Sequence, residues 1–135
     1  MAMFSGGCVC GAIRYECDAQ PMMMFQCHCR DCQHVTGGPY SPVLYFARKD
    51  FRLTKGALTH FSTPSLAGGD HKRGFCGNCG SRISGGESDQ GIGLVAGSLD
   101  DPAQFRPTLD MHVADAQPWD LLDPAMPKFD GYPPM

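Results

Sequence analysis

Gly7-Cys8-Val9-Cys10-Gly11-Ala12-Ile13-Arg14-Tyr15-Glu16-Cys17 carries two signals in one short stretch. Two cysteines one residue apart come first, set between glycines. An alternating run follows, with Ile13, Tyr15 and Cys17 on one face and Arg14 and Glu16 on the other. Successive side chains of a strand point to opposite faces, so this alternation predicts a half-buried strand. Cysteines so close together let one turn of backbone aim two sulfurs at a common point, as a tetrahedral metal requires. The combination predicts a small β protein held by metal as well as by a core.

The rest of the chain extends that reading. Short apolar or β-branched runs at 22–26, 42–46, 92–96 and 111–113 predict further strands, and 72–75 leads into another cysteine pair. Residues 51–53 and 58–61 flank Lys55-Gly56 and predict a hairpin. The best helical segment is short, 30–35, inside a cysteine loop. From Gln117 onward, Pro118, Pro124, Pro127, Pro133 and Pro134 exclude a regular helix or a central strand. That stretch is expected to wrap the surface, with Trp119 and Phe129 as anchors. No linker divides the 135 residues, so 1–135 reads as one domain, mainly β, built of small antiparallel sheets.

Composition narrows the function classes. The 17 glycines and 11 prolines favour turns over long helices. A net charge of −3, with scattered Lys and Arg, argues against binding to nucleic acid. No apolar run is long enough to span a bilayer. The opening residues carry no basic or apolar region of secretory type, so the expected location is the cytoplasm. In a reducing compartment, clustered cysteines are metal ligands or chemical groups more often than disulfides.

Seven of the eight cysteines are clustered: Cys8/Cys10, Cys27/Cys29/Cys32 and Cys76/Cys79. They divide naturally into four and three. Closed four-ligand sites are typical of structural zinc, and three ligands with an open position are typical of catalytic zinc. The loop Cys27-His28-Cys29-Arg30-Asp31-Cys32 supplies three sulfurs unaided. The two pairs would share the other metal, with Gly80 turning the chain past it. Cys17, His28 and His34 are the side chains available to close the three-sulfur site. Cys17 reads as a small buried thiol, His28 as pointing away between two ligands, and His34 as exposed or touching substrate.

The chain resembles the glutathione-dependent formaldehyde-activating enzyme family, which includes the centromere protein V proteins. The carrying motifs are 7–15, Cys27-His28-Cys29-Arg30-Asp31-Cys32 with Thr36-Gly37-Gly38, 73–81, 97–102 and Pro118-Trp119. The resemblance implies a zinc-stapled, tent-like β fold. It implies a structural zinc on Cys8, Cys10, Cys76 and Cys79 and a second, more labile catalytic zinc on Cys27, Cys29 and Cys32. The implied activity is that of a carbon–sulfur lyase of the S-(hydroxymethyl)glutathione synthase type, joining a small thiol and an aldehyde or separating them. On that reading Arg30 and Arg73 are candidates to hold substrate carboxylates, and His34 is a candidate proton carrier. Two other readings remain open: a non-catalytic zinc-stabilised interaction module, and a protein that uses the middle cluster for thiol redox chemistry.

Overall fold

The computed structural model describes residues 2–65 and 67–134. Its strands are β1 (Phe4–Gly7), β2 (Arg14–Cys17), β3 (Met23–Cys27), β4 (Ser41–Ala47), β5 (Phe51–Lys55), β6 (Thr59–Pro64), β7 (Asp70–Phe75), β8 (Arg82–Gly85), β9 (Gly91–Val95) and β10 (Leu109–Met111). One α-helix, α1 (Arg30–Thr36), follows β3. The fold is mainly β, as expected. β1, β2 and β5 form a three-stranded antiparallel sheet. The second sheet is larger than the short runs suggested. It holds seven strands in the order β10-β3-β4-β9-β8-β7-β6, antiparallel except for the β10–β3 pair.

β4 shows how sequence alternation divides the molecule. Leu44 and Phe46 are fully buried and pack with Ile83, Ile92 and Leu94 of the neighbouring strands. This face meets Phe4, Tyr15, Cys17 and Phe51 of the three-stranded sheet in one core. Phe4 and Phe46 meet edge to face at 5.3 Å, a favoured aromatic geometry. Val43 and Tyr45, one residue out of phase, point to the opposite face and line a cleft. Tyr45 lies directly over Gly91, where an added Cβ would sit 2.1 Å from its hydroxyl oxygen. The packed face therefore stabilises the protein, and the other face is available for binding.

Two sequence expectations are corrected. Residues 51–53 and 58–61 do not form a hairpin: β5 pairs with β2, while β6 pairs with β7 in the other sheet. Gly56 does turn the chain, at φ 79°, but it carries the backbone from one sheet to the other. It also passes close to Ala12, whose carbonyl oxygen would lie 2.3 Å from an added Cβ. Trp119 is not an anchor, being 62% exposed. The C-terminal stretch is held instead by backbone bonds along β10, among them Asp110 N–H to Pro127 O and Phe129 N–H to Asp110 O. Proline content excluded a central strand, but an edge segment tolerates the missing donors. The strands β1 and β8 were not foreseen, because Ser5-Gly6-Gly7 and Ser84-Gly85 give little alternation to read.

The division of faces predicts unequal costs along β4. Leu44→Ala is expected to cost about 2–5 kcal/mol, the usual range for truncating a fully buried leucine. Val43→Ala, on the cleft face, is expected to cost clearly less. Urea unfolding of both variants measures the difference.

Candidate metal centres and cleft

The two cysteine groups lie on different faces of the seven-stranded sheet. Cys8 and Cys10 follow β1, and Cys76 and Cys79 follow β7. Their four sulfurs all lie within 4.8 Å of one another. Cys8, Cys76 and Cys79 pack against the main core. The sulfur separations, 3.5 Å for Cys8–Cys10 and 3.8 Å for Cys10–Cys76, match the edge of about 3.8 Å of a tetrahedron with 2.3 Å metal–sulfur bonds. Gly80 takes φ 81° and returns its N–H to Cys76 O at 2.8 Å, closing the turn between the ligand pair and β8.

Backbone and side-chain donors face these sulfurs. Ile13 N–H lies 3.1 Å from Cys8 Sγ, and Asn78 Nδ2 lies 3.3 Å from Cys10 Sγ. The Ser81 hydroxyl, 3.2 Å from Cys79 Sγ, and the Ser81 backbone N–H bring that thiol down to about 5. Donors aimed at sulfur favour the thiolate, which is the form that binds metal. The group fits a closed four-sulfur metal site.

The second group lies on the cleft side. Cys27 ends β3, Cys29 caps α1 and Cys32 lies in its first turn, with Cys32 N–H 3.3 Å from Cys29 Sγ. Their sulfurs also fall within 4.8 Å of one another, and all three residues line the cleft. The three thiols act on one another: Cys27 and then Cys32 pull Cys29 below the ordinary thiol range, while Cys29 and then Cys32 push Cys27 above it. These three sulfurs fit a metal with a position left toward the cleft. Cys17 is not near either group; it is buried in the core and pushed up to about 12 by burial.

His28 points away from the three sulfurs. Its ring lies between two carboxylates, with Nδ1 2.6 Å from Asp120 Oδ2 and Nε2 2.9 Å from Asp110 Oδ1. All three side chains are 4% exposed or less. Its backbone N–H bonds to Met111 O. Gln33, also buried, donates to His28 O and Asp115 O and accepts from Gln117 Nε2. The cysteine loop is thus clamped to β10 and to the C-terminal segment. Asp110, Asp120 and Gln33 carried no signal in the sequence, because their role depends on contacts between distant parts of the chain.

The cleft has a volume of about 690 Å³. Met23, Phe25, Val43, Tyr45, Val95 and Met111 give it apolar walls. Arg30 and Arg73 both line it, whereas the exposed His34 is not among its lining residues. His34 projects from the last turn of α1, where its Nε2 lies 3.4 Å from Arg30 Nη2. The histidines at the cleft are His71 and His112. His71 is shifted down by burial and by the charge of Arg73, which keeps it neutral near pH 7. His112 adopts φ 56°, a left-handed conformation uncommon outside glycine, and packs edge-on against Tyr132 at 4.4 Å. His71 was legible in principle, since it alternates with Arg73 on β7. His112 was not, because nothing in Met111-His112-Val113 announces a left-handed turn.

A family model for the glutathione-dependent formaldehyde-activating enzyme matches residues 3–115. The chain belongs to this family. The crystal structure of a Rhodobacter sphaeroides protein resembles it in fold, with a TM-score of 0.59 at 21% identity over 74% of this chain and 93% of that one. No curated protein matches the chain by sequence. The C-terminal segment that supplies Asp120 and Tyr132 lies beyond the matched residues.

The clamp on His28 predicts a stability effect at a residue far from the cysteines in sequence. Asp120→Ala leaves a buried ring nitrogen without its partner and is expected to cost about 3 kcal/mol. Asp120→Asn, which keeps a hydrogen-bonding group in place, is expected to cost less. Urea unfolding of the metal-loaded protein checks both.

Proposed function

We propose that this protein is a zinc-dependent carbon–sulfur lyase that joins a small thiol to an aldehyde, or separates the adduct. Glutathione and formaldehyde are the pair indicated by the family. The carrying observation is the difference between the two cysteine groups. Four sulfurs meet beside the packed core, while three line a 690 Å³ cleft. Cys8, Cys10, Cys76 and Cys79 are assigned to a structural zinc, and Cys27, Cys29 and Cys32 to a catalytic one. Cytoplasmic conditions suit both, since they keep unligated thiols reduced.

Bound by Cys27, Cys29 and Cys32, zinc would supply an open position that keeps a substrate thiol deprotonated. The chain's own residues do the rest. His28, fixed by Asp110 and Asp120, keeps the cysteine loop in one geometry. Met23, Phe25, Val43 and Met111 line the cleft with apolar surface, a setting that strengthens electrostatic interactions there. In the addition, the thiol sulfur forms a bond to the aldehyde carbon and the carbonyl π pair moves onto oxygen. The thiol proton ends on that oxygen, so no oxidant or reductant is consumed. His71, kept neutral, has a ring nitrogen able to accept that proton and pass it on. His34 is exposed and does not line the cleft, so this step is not assigned to it.

The test is zinc per chain by elemental analysis, before and after mild chelation, with glutathione titrated into both samples. Two zinc ions falling to one, with thiol binding lost alongside the labile ion, is the expected result. Two ions that resist chelation, with no thiol binding, would contradict it. In the same assay Cys29→Ser is expected to fold with one zinc and no activity. Cys76→Ser is expected to lose soluble folding, because structural zinc contributes directly to folding free energy.

A further inference from the structure

The cleft has two unlike halves. His71, Arg73 and Arg82 come from β7 and β8 on one side, the last with its guanidinium carbon 4.8 Å from the Phe61 ring centroid. The other half is a floor laid by β3, β4 and β9, and strand register sets its rows. Phe25 pairs with Val43 and Val43 with Val95, which gives an unbroken apolar row across three strands. Met23 pairs with Tyr45 in the next row. All five side chains line the cleft and are half-buried, so apolar surface is open to whatever occupies it. Cys27 is in phase with Phe25 and Met23 on β3. A strand advances about 3.4 Å per residue, so the floor starts beside the three sulfurs and runs about 13 Å away from them.

Formaldehyde leaves that floor unused. It is little larger than a water molecule, whose share of liquid volume is about 30 Å³, and it ends beside the sulfur it joins. Glutathione does not match the floor either, because its amides and charged groups would lose water there without gaining partners. Apolar surface of this extent is matched by an apolar group bonded to the reacting carbon. We propose that Met23, Phe25, Val43, Tyr45 and Val95 form a subsite for the side group of the aldehyde, so that the protein takes thiol adducts of aryl or longer alkyl aldehydes in preference to formaldehyde. The inference rests on reading the three-sulfur group as a thiol site, and it adds the class of aldehyde. Phe25 and Tyr45 offer aromatic surface to an aryl group, and the flexible Met23 adapts to its outline.

The experiment is calorimetric titration of the zinc-loaded protein with glutathione, S-methylglutathione and S-benzylglutathione. The two thioethers are stable mimics of the adducts of a one-carbon and an aryl aldehyde. S-Benzylglutathione is expected to bind at least about tenfold more tightly than S-methylglutathione, as burial of a phenyl ring implies. Val43→Thr keeps the shape of the floor and adds a hydroxyl, so the preference is expected to fall at least about threefold with zinc content unchanged. Met23→Gln reads the same ratio independently if Val43→Thr folds poorly. Equal binding of the two thioethers, or binding of glutathione with exclusion of the benzyl compound, would overturn the apolar subsite alone. So would a preference unchanged in both variants, which would place the ring elsewhere on the protein. Binding of none of the three would remove the thiol-site reading and the subsite with it.

Discussion

The meeting of Cys8 and Cys10 with Cys76 and Cys79 is the constraint on which the rest depends. One pair leaves the three-stranded sheet and the other leaves the seven-stranded sheet, so their common point ties the two together. The strands involved are short, four residues in β1 and six in β7. Short strands rich in glycine have little side-chain area to hold a sheet pair in register. A metal held by these four sulfurs would add a strong, directional connection at the edge of the core. Donors from Ile13, Asn78 and Ser81 already surround the sulfurs, so local backbone geometry is shaped around thiolates rather than around a disulfide.

With the two sheets fixed, the pleat of the larger one separates stability from chemistry. Leu44, Phe46, Ile83, Ile92 and Leu94 fill the packed side. On the other side, Met23, Phe25, Val43, Tyr45, Arg73 and Arg82 face the cleft. Cys27 is in phase with Met23 and Phe25 on β3, so it emerges on the cleft side for the same reason that they do. The three-sulfur group follows from that placement, because α1 begins three residues later and returns Cys29 and Cys32 to the same point. The four-sulfur group beside the core and the three-sulfur group at the cleft thus stay separate.

Much of this was legible in the residues themselves. The alternation of Ile13, Tyr15 and Cys17 and the spacing of the three cysteine clusters are local signals, and local signals survive without a structure. The division of seven cysteines into four and three followed from ligand number. The hairpin around Lys55-Gly56 failed because a turn signal does not say which sheet the next strand joins. Trp119 failed as an anchor because size and hydrophobicity do not measure burial; its neighbour Asp120 anchors the segment through His28. Asp110, Gln33, Arg82 and His112 acquire their roles only from partners distant in sequence or from an unusual backbone angle. His34 stood out by lying next to a cysteine loop, but a helix turns its surface by about 100° per residue, and His34 faces outward.

The central claim is that two metals occupy two unlike sulfur sites, one closed beside the core and one opening into the cleft. Anomalous diffraction at the zinc absorption edge, from crystals of protein purified without added chelator, tests it most directly. The account predicts two peaks, one at the centre of the Cys8, Cys10, Cys76 and Cys79 sulfurs and one beside Cys27, Cys29 and Cys32 on the cleft side. A single peak at the first position, with a disulfide within the Cys27, Cys29 and Cys32 group, would contradict it.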